Sequence, residues 1–136
     1  MSKKIVRRAL HELLKNLASG KVYASRAPDD AVAPYIILQR ESSERWRSLN
    51  GPSGIAQATI QIDVYADTAY GAEGLAGDVE TILDGYRGLV YYGANSPQDS
   101  IRIGGISLQS DADLFDQTEK PFLHRVTGFY LVTYDQ

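Results

Sequence analysis

The sequence predicts an α+β domain, a mainly antiparallel sheet of about five strands with two long helices packed on one face. Three observations predict it. Ala56, Ala58, Ile60, Ile62, Val64 and Ala66 alternate with Gln57, Thr59, Gln61, Asp63 and Tyr65, the period of a strand with one face on a core. The period then changes, and Ala72, Leu75, Ala76, Val79, Ile82 and Leu83 fall on one helical stripe, so a strand feeds into a helix that folds back over the sheet. A matching stripe near the start, with strand candidates joined by hairpin-like connections, supplies the second helix and the antiparallel pairing. Two helices can cover only one face of such a sheet. The other face keeps tyrosines and apolar residues, which argues for oligomerisation unless a twisted sheet hides its own face.

Taken in order, Ile5, Val6, Ala9, Leu10, Leu13, Leu14 and Leu17 form a helical stripe over Lys3–Ala18, closed by Gly20. Lys21–Ser25 is a short strand candidate, and Ala27–Pro34 is a loop with two prolines. Tyr35–Glu41 is a strand with Ile36 and Leu38 on one side and Tyr35, Ile37 and Gln39 on the other, apolar enough on both to be central. Ser42–Gly54 reads as a loop ending in Asn50-Gly51-Pro52-Ser53-Gly54. The Ile55–Ala66 strand leads to Asp67 and Thr68, the candidate N-caps of the Thr68–Leu83 helix, with Gly85 placed for a left-handed stop. Leu89–Tyr92 is a short strand candidate. The strand phase slips between Ile101/Ile103 and Ile106/Leu108, which predicts a β-bulge at Gly104-Gly105. Asp111–Pro121 reads as an acidic loop. Phe122–Tyr134 is a last strand, apolar on both faces. From the two stripes, Leu10, Leu14, Leu75 and Val79 are expected in the core with Ile60 and Ile62.

A length of 136 residues fits one domain, residues 1–136, and 43% hydrophobic with 23% charged residues is ordinary for a globular chain. No apolar run reaches membrane-spanning length, and the charged amphipathic start does not read as a secretory signal, so the cytoplasm is the default expectation. The absence of cysteine excludes disulfides and thiolate metal sites. The net charge of −3 hides an asymmetry. Residues 1–26 carry seven basic residues against Glu12, a net of +6, and the remainder carries seven basic against sixteen acidic, a net of −9. A basic first helix on an acidic body could bind nucleic acid or meet an acidic neighbour. The simpler reading is the solvated face of an amphipathic helix, because no aromatic residue is interleaved with the charges.

No catalytic constellation emerges. His11 and His124 are not spaced as a metal pair and read as a helix-surface and a strand residue. Gly51-Pro52-Ser53-Gly54 is one residue short of a nucleophile elbow. No phosphate loop or dinucleotide fingerprint is present. Asp111, Asp113, Asp116 and Glu119 miss the calcium-loop pattern, which wants an oxygen ligand at Phe115 and a glycine at Asp116. The expectation is therefore no enzyme, with no catalytic residue, no cofactor and no metal. The partner-contact candidates are Arg45, Trp46 and Arg47, since Trp and Arg are enriched at binding hot spots. A tryptophan folded back over the sheet edge is the equal alternative.

Val22–Pro28, Ala33–Gln39, the Gln57–Tyr65 strand with its helix ending Leu83-Asp84-Gly85-Tyr86-Arg87-Gly88, Leu114-Phe115 and Leu123–Val126 follow one another in an order and spacing that resemble the tail completion, or tail terminator, proteins of long-tailed phages. The similarity covers nearly the whole chain, and Val90–Pro97 departs from it. The resemblance implies a structural virion protein at the head–tail junction, assembled in the host cytoplasm. It implies a homo-oligomer, a hexameric ring on the head-proximal end of the tail tube that ends tube polymerisation. It also implies tail tube and head–tail connector (stopper or adaptor) proteins as partners, DNA passing through the ring without specific binding, no membrane, and no catalytic residues. Prophage remnants and gene transfer agents use similar proteins. The alternatives are another head–tail connector or tail-tube-like ring subunit, and a small nucleic-acid-binding module.

Overall fold

A computed structural model of the chain describes residues 4–48, 51–93, 99–116 and 123–135. The elements are α1 (Lys4–Leu14), a 3₁₀ turn (Leu17–Gly20), β1 (Val22–Ala24), β2 (Tyr35–Ser48), β3 (Gly51–Ala66), α2 (Ala69–Leu83), β4 (Gly88–Tyr91), β5 (Ser100–Asp116) and β6 (Leu123–Asp135). The α+β class holds, with a correction to the sheet. It has six strands, not about five, in the order β1-β2-β3-β6-β5-β4. It is also mixed, because β1 runs parallel to β2 while every other pair is antiparallel. The two edge strands have three and four residues, too few for a period to declare itself.

The alternation in β3 sorts the molecule into two sides. Ala56, Ala58, Ile60, Ile62, Val64 and Ala66 are all buried. Register carries the same side across the sheet, with Ile60 opposite Tyr130, Ala58 opposite Val132, and Val132 opposite Ile106. Both helices lie on this side. Val6, Leu10 and Leu14 of α1 and Val79 and Leu83 of α2 share one core cluster with Ile36, Leu38, Ile60 and Ile62. Leu75 packs against the cluster but is only partly buried.

The first helix is shorter than its stripe. It ends at Leu14, and Ala18 and Ser19 take left-handed φ values of 51° and 55° inside the following turn. Leu17 and Ala18 still reach the core through that turn, which is why the apolar spacing outruns the helix. His11 Nε2 donates to the Val22 carbonyl oxygen (3.1 Å) and ties α1 to β1. The α1 side and its flank use their cations internally. Arg7 donates to Ser25 Oγ (2.8 Å), Arg8 stacks over Tyr92 (4.9 Å), Lys15 pairs with Glu12, Lys21 donates to the Val32 carbonyl oxygen and Arg26 pairs with Asp29.

Thr68 is the N-cap of α2, its Oγ1 accepting from the Gly71 N–H (3.0 Å), and Gly85 at φ +84° ends the unit as its sequence implies. After α2, Gly85 N–H donates to the Ile106 carbonyl oxygen and Asp84 Oδ1 accepts from the Leu108 N–H (2.8 and 2.9 Å), so the helix exit is sewn to β5.

Two expected loops are corrected to strand. Ser42–Gly54 is mostly the far part of a hairpin, since β2 runs to Ser48, β3 starts at Gly51 and pairing continues to Ser48↔Gly51. Residues 49–50 lie outside the described residues. Asp111–Asp116 likewise continues β5, paired as far as Asp116↔Leu123, and the rest of that expected loop, with Glu119, lies outside the described residues. Polar segments that carry no clear apolar alternation read as loops even where their backbone pairs. The bulge at Gly104 is present, with Ile103 opposite Tyr134 and Gly105 opposite Thr133. Further irregularities at Glu41 and Gln109 carry no glycine to signal them.

The glycines of α2 give a direct test of its energetics. A Cβ at Gly74 meets nothing within 4 Å, so Gly74→Ala should stabilise the protein by about 0.5–1 kcal/mol in urea unfolding. A Cβ at Gly71 would sit 2.8 Å from Thr68 Oγ1 and disturb the cap, so Gly71→Ala should lose that gain. Leu10→Ala in the core should cost about 2–5 kcal/mol in the same assay.

Candidate functional site

The side of the sheet away from the helices carries the site. β3 contributes Gln57, Thr59, Gln61, Asp63 and Tyr65 in the phase opposite its buried apolar residues. Register brings Tyr35, Ile37 and Gln39 of β2 and Arg125, Thr127, Phe129 and Leu131 of β6 to the same side. Phe129 and Leu131 are half-buried although no helix lies over them. The opposite side of the last strand is thus apolar as its sequence implies.

Two clusters organise this face. The first is an aromatic ladder across four strands. Tyr23 and Tyr35 have ring centroids 6.1 Å apart and tilted by 59°, and Tyr35 stacks on Tyr65 at 4.9 Å and 25°. Arg125 Cζ lies 6.0 Å from the Tyr65 ring centroid and its Nη1 donates to the Tyr65 hydroxyl (3.4 Å). Cross-strand register creates the ladder, because Tyr35, Tyr65 and Arg125 are direct neighbours in the sheet.

The second cluster is centred on Asp63, which is fully buried on a face without helices. Its carboxylate accepts from Thr127 Oγ1 (2.8 Å), from Gln39 Nε2 (3.0 Å) and from Gln61 Nε2 (3.0 and 3.2 Å). Three side chains from three strands therefore satisfy one carboxylate, and among the described residues no cation pairs with it. A buried charge needs such donors, and the cost of removing one of them is high. Sequence reasoning placed Asp63 on the polar side of β3 and missed the network. The only signal was the register that sets Gln61 opposite Gln39 and Asp63 opposite Thr127.

Arg45 and Arg47 fall in β2 at register positions opposite Ala56 and Pro52, with Trp46 between them, on an arm of the β2–β3 hairpin. The β3–β6 register ends at Ile55↔Asp135, while β2 and β3 pair on to Arg47↔Pro52 and Ser48↔Gly51 past an irregularity between Arg45 and Arg47, so the arm outruns the six-stranded sheet. The three candidates are not brought to the tyrosine ladder, which lies at the other end of β2. Gly51–Gly54 begin a strand, not a strand-to-helix elbow. Among the described residues no group of three His, Asp or Glu is placed to hold a metal ion, and no helix is long and apolar enough to cross a membrane. What the arrangement offers chemically is contact. Tyrosine and arginine on a rigid sheet provide large amphipathic area at low entropic cost.

The family model described as Tail completion protein gp17 matches residues 6–127. A comparison with curated proteins finds no match. Among solved structures 33 chains match. One of them, from the virion of a native gene transfer agent (GTA) particle, has a TM-score of 0.62 at 16% identity, over 97% of this chain and 92% of that one. At that identity the likeness is one of fold.

The Asp63 network predicts a graded loss of stability. Asp63→Ala strands three donors and should cost about 2–3 kcal/mol, and Thr127→Val about 1–2 kcal/mol. The double variant should cost less than the two together, as groups in one network do. Urea midpoints of the four proteins check this, and strict additivity would show that the two residues do not share a network.

Proposed function

The chain belongs to the tail completion protein gp17 family, and we propose that it is a structural virion protein whose copies form a hexameric ring on the head-proximal end of a phage tail tube. The ring ends tube polymerisation and presents the surface that joins the head connector. The observation that carries this reading is the family match over residues 6–127. The fold shared with a chain from a gene transfer agent virion supports a place in a phage-derived particle.

The chemistry of the surface agrees. One face of the sheet is covered by the two helices, and the other keeps half-buried Phe129, Leu131, Tyr35 and Tyr65 beside Arg125. A ring needs a head-to-tail contact, in which two different patches of each subunit meet and rotation closes the series. The open face supplies one such patch. The β2–β3 arm with Arg45, Trp46 and Arg47 supplies a second contact element, because a two-stranded ribbon without a third strand is marginal alone and gains by docking. The tail tube and the head–tail connector then occupy the two ends of the ring. An acidic body lets DNA pass without adhering to the wall. The work is assembly control, with no substrate turned over.

Particles assembled without the protein test the reading. Their tails should fail to join heads or should grow beyond normal length in electron micrographs. Normal, infectious particles made in its absence would end it. Hydrogen exchange of the β2–β3 arm should be slower in the particle than in the free chain, and equal protection would remove the arm from the contact.

A further inference from the structure

A cavity of about 450 Å³ opens on the helix side of the sheet, between α2 and the strands β5 and β6. Small residues make the space. Gly128 stands where β6 could carry a side chain toward α2, and Ala76 and Gly77 face it from the helix. Its walls include Ile62, Val126 and Val79, and its rim carries Glu73, Glu80 and Asp111. Among the described residues no cation pairs with these three carboxylates. Asp84 is close by but is committed to the Leu108 N–H.

A second, independent feature points into the same space. Tyr130 is 3% exposed and lines the cavity, and its hydroxyl, which no described group hydrogen-bonds, is not sealed in the core but opens to the cavity. Burial first, and then the charges of Glu80, Asp84 and Asp111, push its pKa up, so the phenol keeps its proton and its ring is not itself an anion.

We propose that this cavity is a receptor for an arginine side chain presented by a neighbouring protein in the assembly. The geometry asks for a ligand with an apolar stem, a flat cationic head and several donors. An arginine stem would lie against the apolar walls while its guanidinium meets the carboxylates of the rim and the face of Tyr130. A lysine ammonium is a compact, strongly hydrated point charge and matches three spread carboxylates and an aromatic face less well. That the arginine comes from a virion neighbour rests on the function proposed above. The preference of the cavity for a guanidinium does not, so a free ligand tests it separately.

The probe is N-acetyl-arginine-N-methylamide, titrated into the isolated full chain and followed by NMR at constant ionic strength. The lysine and citrulline analogues serve as comparisons. The expected result is a saturable shift confined to Tyr130 and its cavity neighbours, with a Kd of about 1–10 mM. The lysine analogue should bind several-fold more weakly, and neutral citrulline should leave the resonances unmoved. Glu80→Gln with Asp111→Asn, both exposed and expected to fold, should weaken arginine binding at least tenfold while leaving the remaining spectrum unchanged. No saturable shift, an equal response to citrulline, or full affinity in the double variant would each overturn the proposal. Binding of free arginine by a chain that particles do not need would instead sink only the assembly reading.

Discussion

The ladder between β3 and β6, from Ile55↔Asp135 to Ala66↔His124, is the constraint on which the rest depends. A strand has only two sides, and a slip of one residue exchanges them. In the observed register Ile60, Ile62 and Val64 meet the helices while Asp63 meets Gln39, Gln61 and Thr127 on the other side. After a slip of one residue the core would receive a carboxylate and lose three aliphatic side chains. The hydrophobic side and the hydrogen-bonded side thus enforce the same alignment. Each also prepares a surface, because the alignment that seats the helices is the one that stacks Tyr35 on Tyr65 and brings Arg125 beside them.

The centre of the fold was legible because its periods are long and clean. The β3 alternation, the α2 stripe, the Thr68 cap, the Gly85 stop and the Gly104 bulge were all readable from residue types with a local mechanism. What escaped was set by distant pairing. The far arms of both hairpins are strands because a partner strand lies alongside, and their polar composition carries no trace of it. The parallel placement of β1 depends on where a loop returns the chain, which three residues cannot encode. The Asp63 network and the Tyr130 cavity are assembled from residues tens of positions apart, so their parts were visible and their meeting was not. Arg45, Trp46 and Arg47 were singled out by composition, and the backbone sets them on a projecting arm.

The helix that walls the cavity is a weak one by intrinsic preference. Gly74 and Gly77, where a Cβ would meet nothing, each lower its standing relative to alanine by about 0.5–1 kcal/mol. Its persistence rests on the cap at Thr68 and on Val79 and Leu83 in the core. The cavity is therefore a product of the folded sheet, and its wall has little independent stability with which to resist a change in what the sheet holds.

The seam between the exit of α2 and β5 has a further effect. The outer edge of β5 pairs with β4 from Ser100 to Ile103. Beyond that, its outward backbone groups at Ile106 and Leu108 are taken by Gly85 and Asp84. A stray strand from another molecule would have to break those bonds before it could stack there. Exposed strand edges are where chains zip into fibrils, and a carboxylate fixed at such an edge repels a newcomer as well as occupying its place. The chain thus guards this edge during any interval between its synthesis and its use, and irreversible cross-β growth loses one of its starting points.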